Sequence, residues 1–324
     1  MSERPPALIA VLGQTASGKS SLAIALAERY RGEIISCDSA AVYRRFDIGT
    51  DKVPMAERRS IPHHLIDVAD PTDEYTAARF AREAAAVARE VVACGRVPIL
   101  AGGTGFYFRA LTRGLFPGPG RDPALRDRLG RMASRRGVEF LHRMVARVDP
   151  PSAVRIQPRD LVRLVRALEV YFLTGAPLTS HFAATASPLP EFETVGLLID
   201  VPASALNDRI SRRVEDQFRR GLVDEVRALL DAGVPPGARP FSSLGYRQVL
   251  ELLRGVCGEA ETRELIVRET RKYARRQLIW FRKEPNLDRI AGPGELPSAI
   301  AEACRIIDRR LRAPESGAGG EETA

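Results

Sequence analysis

Apolar and polar positions along this chain change rhythm in blocks. The run ALIAVLG (7–13) is short, almost wholly apolar and closed by glycine, as expected of a strand buried on both faces of a parallel sheet. KSSLAIALAERY (19–30) then takes up helical spacing. GEIISCD (32–38) reads as a second strand, EYTAARFAREAAAVAREVVACG (74–95) as an alanine-rich helix stopped by Gly95, and VPILAGG (97–103) as a third strand. This alternation predicts an α/β fold with a doubly wound parallel sheet.

From about 119 to 190 only helical periodicity remains, in DPALRDRLGRMASRR, GVEFLHRMVARV and PRDLVRLVRALEVYFLTG. TVGLLIDV (194–201) restores a strand, expected to be the fourth of the first sheet, and helices are expected again to about residue 312. The chain thus reads as a core in two parts, 1–118 and 191–312, with an all-helical domain inserted over 119–190. The polar, glycine-rich stretch 313–324 is expected to be a disordered tail. No internal repeat is present. A length of 324 residues suits two domains, or one domain with a large insertion.

The composition, 44% hydrophobic, is enough for a sizeable core. Cys37, Cys94, Cys257 and Cys304 have neither metal-ligand nor disulfide-framework spacing and read as reduced thiols of a cytoplasmic protein. No apolar stretch reaches the roughly 20 residues of a membrane span, and MSERPPALIAVLG lacks the layout of a signal peptide. The net charge of +8 suits a nucleic-acid partner, although an arginine-rich composition gives the same balance in ordinary enzymes.

Chemistry enters at GQTASGKSS (13–21). Gly13, Gly18, Lys19 and Ser20 satisfy G-x-x-x-x-G-K-[ST] between a strand and a helix. Glycines let successive N–H groups turn inward on phosphate oxygens. Lys19 adds a mobile charge, Ser20 can ligate Mg²⁺, and the helix brings the positive end of its dipole. The loop specifies a polyphosphate without naming its owner. A carboxylate for the metal could come from Asp38 or Asp200, each at a strand end; Asp38 could equally be a base or a turn former. GGTGFYF (102–108) adds a second glycine-containing loop at the same sheet edge, with the Thr104 hydroxyl. His63 and His64 are adjacent in an extended segment, without a further Cys or His nearby, and read as structural rather than as zinc ligands.

In RETRKYARRQLIWFRK, Arg268, Arg271, Arg275 and Arg282 fall on one helical face and Tyr273, Gln277 and Trp280 on another. That arrangement suits RNA backbone and base contacts, or else a solvated charged face with Trp280 in the core.

Seven stretches in order, GQTASGKSSLA, GEIISCDSAAVYRRFDIGTDK, PHHLIDV, GGTGFYFRAL, RDLVRLVRALEV, SSLGYRQ and ETRKYARRQLIWFRK, resemble the tRNA dimethylallyltransferase (tRNA isopentenyltransferase) family over roughly residues 8 to 284. The resemblance implies a P-loop NTPase-like core whose loop binds dimethylallyl diphosphate and not ATP. It further implies alkylation of N6 of the adenosine immediately 3′ of a tRNA anticodon, position 37. Gly13, Thr15, Ala16, Ser17, Gly18, Lys19 and Ser20 would hold the diphosphate, with Mg²⁺ at Ser20. Asp38 would be the general base; Thr104 would stand near the bridging oxygen and Arg126 at the diphosphate. Positions implied to face tRNA are Asp38, Ser39, Ala40 and Ala41; Val162, Arg163, Leu164, Val165 and Arg166; Ser242, Ser243, Leu244, Gly245, Tyr246 and Arg247; with Arg271 and Arg275 as RNA-binding cations. The chain departs from many members at Ala40 and Ala41, where a glutamine or another larger residue follows the Asp-Ser pair. A side-chain contact to the flanking base is then expected to be absent. A monomer is the default expectation. The competing readings are a small-molecule or nucleotide kinase on the same loop and an adenylate isopentenyltransferase; both leave the basic C-terminal helix without a use. A non-catalytic RNA-binding module would have no use for the phosphate loop.

Overall fold

In the computed structural model, which describes residues 5–116 and 118–312, the chain divides into two compact units. One comprises the segments up to Thr112 and from Pro188 onward, the other Arg113–Ser187. The stretch 313–324, expected to be a disordered tail, lies outside the described residues.

The first unit is an α/β layer structure. Its elements are β1 (Ala7–Gly13), α1 (Lys19–Tyr30), β2 (Gly32–Cys37), β3 (His63–His64), α2 (Ala77–Ala93), β4 (Val97–Gly102) and α3 (Gly105–Arg113). In the second unit follow α4 (Pro123–Arg136), α5 (Val138–Val148), α6 (Pro150–Arg155) and α7 (Leu161–Thr174). The first unit resumes with β5 (Glu193–Asp200), α8 (Ala203–Arg219), α9 (Leu222–Asp231), α10 (Tyr246–Leu253), α11 (Glu259–Phe281), β6 (Leu287–Ala291) and α12 (Pro297–Arg312). Short 3₁₀ helices occupy Met55–Glu57, Leu178–Ala184 and Arg239–Ser242.

The sheet is parallel throughout, in the order β3-β2-β4-β1-β5-β6. Central β1 is apolar on both faces because both faces are covered. Leu8, Ala10 and Leu12 pack into the core that also holds Phe80 and Ala84 of α2, while Ile9 and Val11 pack against Leu22 and Leu26 of α1 and Ile307 of α12. In α2, Ala81, Ala84, Ala85 and Ala88 are buried, so the helix lies close on the sheet; the Thr76 side chain caps its start. The second unit has its own core, built from Leu129, Leu141, Val145, Leu164 and Leu168.

Two strands escape the periodicity. β6 falls in a stretch expected to be helical. It is an edge strand of five residues, LDRIA, with only Ile290 buried, so it carries no apolar run to signal itself. β3 has two residues, His63 and His64, and pairs with β2 at Ile34 and Ile35. Its histidines are structural: His63 Nδ1 lies 2.8 Å from the Ile61 carbonyl and His64 Nε2 2.6 Å from Glu33. Among the described residues no helix is long and apolar enough to cross a membrane.

Candidate active site

Register brings three loops to one edge of the sheet. β1 pairs Leu12 with Gly102 of β4, and β2 pairs Cys37 with the same glycine, so Gly13, Asp38 and Gly103 leave the sheet side by side. At Gly102 an added Cβ would fall 2.1 Å from the Cys37 carbonyl oxygen, and only glycine permits that approach. Ligands in open α/β sheets bind at this carboxyl edge.

The phosphate loop turns into α1 through Gly18, whose φ of +84° is left-handed. Its shape is held by the rest of the unit. Gln14 Nε2 donates to the Ala274 carbonyl (3.1 Å), the Thr15 N–H to Gln277 Oε1 (2.8 Å), Arg209 Nε to the Ala16 carbonyl (2.6 Å) and the Gly294 N–H to the Ser17 carbonyl (2.9 Å). Lys19 Nζ folds back on the Gln14 carbonyl at 3.1 Å. Burial, reinforced by the Arg213 guanidinium, lowers the Lys19 ammonium to about 8 against the opposing pull of Asp38 and Asp51. An under-solvated cation of this kind is prepared for a polyanion.

Asp38 is the first residue beyond β2. Its Oδ1 accepts from the Ala40 N–H (2.8 Å) and the Ala41 N–H (3.3 Å), which closes a turn, while no hydrogen bond among the described residues reaches Oδ2. The turn-forming reading of Asp38 therefore holds on Oδ1, while Oδ2 is not engaged in that turn. Thr104 Oγ1 accepts the Ser39 N–H at 3.1 Å and ties the two loops together. Beneath Asp38, burial and the adjacent carboxylate push the Cys37 thiol up, so it stays protonated and offers no nucleophile.

Thr15, Lys19, Ser20, Asp38, Ser39 and Ala40 line a cleft of about 520 Å³, joined by Ser242, Ser243, Leu244 and Arg247 from the turn before α10 and from its first residues. Ala41 faces a smaller adjoining cavity. Tyr246 is fully buried; its hydroxyl donates to Glu225 at 2.5 Å and accepts the Gly49 N–H at 3.1 Å, so it anchors a loop and presents nothing to a ligand. Asp200 pairs with Arg282 and is absent from the cleft lining, which leaves Asp38 as the strand-end acid there. Helix α11 lines the cleft with Thr270, Tyr273, Arg276 and Gln277, whereas Arg271 lies along a groove with Arg263 and Lys272, its Nη2 3.1 Å from Ser211 Oγ, and Arg275 is exposed.

Within the helical unit, Arg126 donates twice to Glu169, at 2.6 and 2.8 Å, and Arg166 once, at 2.6 Å. Leu164 and Val165 belong to that unit's core; Val162 is 74% exposed and Arg163 is exposed.

Arg213 of α8 lines the cleft although nothing in its run of charges singles it out; Gln277, which its helical face with Tyr273 and Trp280 offers as an RNA contact, is bonded to the Thr15 N–H and the Gly103 carbonyl. Among the described residues no group of three or more His, Cys, Asp or Glu side chains could hold a metal ion. The Ser20 hydroxyl in the cleft fits a cation whose other ligands come from phosphate oxygens and water, the habit of Mg²⁺.

Fold and cleft together define an α/β protein of P-loop-like fold whose glycine loop and buried Lys19 open onto a polar, partly basic cleft. A family model described as IPP transferase matches residues 41–284. The tRNA dimethylallyltransferase of Solibacter usitatus is 47% identical over 290 residues, 90% of this chain and 94% of that protein. That of Koribacter versatilis is 44% identical over 302 residues, covering 93% and 98%. Among solved structures, the tRNA isopentenylpyrophosphate transferase of Bacillus halodurans superposes with a TM-score of 0.70 at 34% identity, over 94% of this chain and 96% of its own. A eukaryotic dimethylallyltransferase acting on tRNA gives 0.78 at 26% identity, over 94% and 79%. The chain belongs to the IPP transferase family.

Proposed function

We propose that the protein transfers the dimethylallyl group of dimethylallyl diphosphate to N6 of the adenosine at position 37 of tRNA, releasing diphosphate, and that it works in the cytoplasm as a monomer. The observation that carries the reading is the single cleft shared by the phosphate loop, Asp38 and the inner face of α11. An adenine amino group is a poor nucleophile because its lone pair is delocalised into the ring. Asp38, through Oδ2, takes the N6 proton as nitrogen attacks the first carbon of the dimethylallyl chain and the carbon–oxygen bond to diphosphate breaks. Lys19, the loop N–H groups and Arg213 stabilise the charge that builds on the leaving group. Mg²⁺ held at Ser20 would supply further neutralisation of the diphosphate. Tyr273, whose hydroxyl is kept protonated by burial and by Asp38, and Arg276 suit the contacts an extruded base and its backbone need. Thr104 and Arg126 complete the residues assigned to the diphosphate, and Arg271 and Arg275 are assigned to tRNA phosphate.

The test is an incubation with dimethylallyl diphosphate, Mg²⁺ and unmodified tRNA, read by nucleoside mass spectrometry, with ATP or free AMP as control substrates. A five-carbon adduct on adenosine, formed only with diphosphate and tRNA and lost in Asp38→Ala while both ligands still bind, is the expected result. Phosphoryl transfer from ATP would instead support the kinase reading, and alkylation of AMP the adenylate one. Full activity in Asp38→Ala would remove Asp38 as the base.

A further inference from the structure

The cations of the phosphate site already have an anion, and it belongs to the protein. Asp51 Oδ2 lies 3.2 Å from Arg213 Nη1, and its Oδ1 lies 3.5 Å from Arg220 Nη1. With Lys19 and Ser20, Asp51 borders the cleft, the smaller cavity that Ala41 faces and a further cavity lined also by Arg209 and Arg220. Its side chain is 34% exposed and that of Arg213 23%, so the pair stands at the mouth of the site, partly withdrawn from solvent screening.

Asp51 has a φ of +56°, a left-handed turn conformation that aspartate accepts, and it is the contacts of the turn that fix its place. Those contacts are on both sides of it. The Gly49 N–H donates to Tyr246 (3.1 Å), Gln217 Nε2 donates to the carbonyls of Ile48 (3.1 Å) and Gly49 (3.2 Å), and buried Lys52 bridges Asp47 (2.7 Å) and Asp67 (2.5 Å). Glu225 accepts the N–H groups of Asp47 (3.1 Å) and Ile48 (2.8 Å). A loop anchored this firmly fixes the backbone of Asp51, so an exchange of partners falls to the arginine side chains.

We infer that Asp51 is an internal counter-ion of the diphosphate site: it holds Arg213 while the site is free, yields it to the entering diphosphate, and takes it back as the product leaves. This rests on the diphosphate reading given above. Asp51 is a positioning residue acting through Arg213. Its effect is to keep the affinity for diphosphate below what Lys19 and Arg213 alone would give, so that product is released and not trapped.

The test is calorimetric titration of inorganic pyrophosphate at pH 7, where Lys19 is protonated, into wild type, Asp51→Asn, Arg213→Gln and the double variant, with and without Mg²⁺. Asparagine accepts the left-handed turn and removes only the charge. Asp51→Asn is expected to bind pyrophosphate about tenfold more tightly in both conditions, as removal of one nearby like charge predicts. Arg213→Gln is expected to bind more weakly, and Asp51→Asn to gain less in that background than alone. Misfolding does not produce a gain in affinity. Unchanged or weaker binding by Asp51→Asn overturns the inference, and so does a weakening confined to samples with Mg²⁺, which would make Asp51 a metal ligand. A wild-type chain that bound no pyrophosphate would bring down the diphosphate reading itself, an outcome distinct from either.

Discussion

Gln277 carries the sharpest test of how this site is assembled. Its Oε1 accepts the Thr15 N–H at 2.8 Å and its Nε2 donates to the Gly103 carbonyl at 2.9 Å, so one amide of α11 ties the phosphate loop to the loop bearing Thr104. Gln277→Met keeps the length and removes both bonds. An unsatisfied buried backbone group costs about 1–3 kcal/mol. Thr15 and Gln277 border the cleft, where water can reach the freed N–H, whereas the Gly103 end is buried; a net loss of about 2 kcal/mol follows. At about 2.1 cal/mol/K of unfolding entropy per residue, a chain of 324 residues then loses about 3 °C of melting temperature, about 1.5 °C per kcal/mol. Gln277→Glu separates the two bonds. Its carboxylate still accepts from Thr15 but faces the Gly103 carbonyl with no proton to donate. Burial and that carbonyl raise its folded pKa above the unfolded value, so its stabilising, protonated form is fully present below the unfolded pKa and is lost as pH rises through the folded one. Measured as the difference from wild type, Gln277→Glu should match Gln277→Met at pH 7 and recover toward wild type at pH 4.5, while Gln277→Met does not. Melting temperatures of both variants within a degree of wild type at pH 7 would refute the clamp.

Lys19 titrates near 8 in the ligand-free site, chiefly because it is buried, and a bound diphosphate would raise that value. Diphosphate binding should therefore be flat below about pH 7 and weaken by up to about tenfold per pH unit above pH 8, with proton uptake visible as a buffer-dependent heat at pH 9; pH-independent affinity would exclude Lys19 as a principal contact. In the helical unit, burial pushes the Glu169 carboxyl up, but hydrogen bonds from Arg126, Arg166 and the Asp122 N–H outweigh it and hold the group at about 2, below its ordinary 4.5. The stabilisation from this lowered pKa is present above 4.5 and lost as pH falls toward 2. Glu169→Gln should accordingly destabilise by about 2 kcal/mol at pH 7 and differ less from wild type near pH 3 in denaturation experiments.

Where a residue's place in the fold follows from its neighbours in the chain, that place was legible. Strands β1, β2, β4 and β5 fall within a residue or so of the runs that predict them, because burial on both faces leaves an uninterrupted apolar signature. The placing of the glycine loop between β1 and α1, and of Asp38 just past β2, was legible for the same reason, since a glycine turn between strand and helix, or an acid at a strand end, is a local pattern. Roles set by distant contacts left no such trace. Thr15 and Gln277 are 262 positions apart, and nothing in RRQLIWF distinguishes a glutamine that clamps a loop from one that meets RNA. Tyr246 likewise reads as a candidate RNA contact, yet it is buried beneath Gly49, where an added Cβ would fall 2.4 Å from its ring.

Helix α11 shows what this means for interpreting its basic residues. Its turns around Ala274 and Gln277 hold the phosphate loop through two hydrogen bonds, while Tyr273 and Arg276, one position away from each, face the cleft. Under the proposed function, residues adjacent in sequence on this helix would therefore serve different substrates. A substitution along it that lowers activity cannot be assigned to RNA binding from the RNA-dependent rate alone. A shift in α11 caused by losing an RNA contact would also move the Ala274 carbonyl and the Gln277 amide, and with them the start of the phosphate loop. The two causes separate only when pyrophosphate affinity is measured without RNA. A residue that contacts RNA leaves that affinity unchanged, and one that supports the loop lowers it.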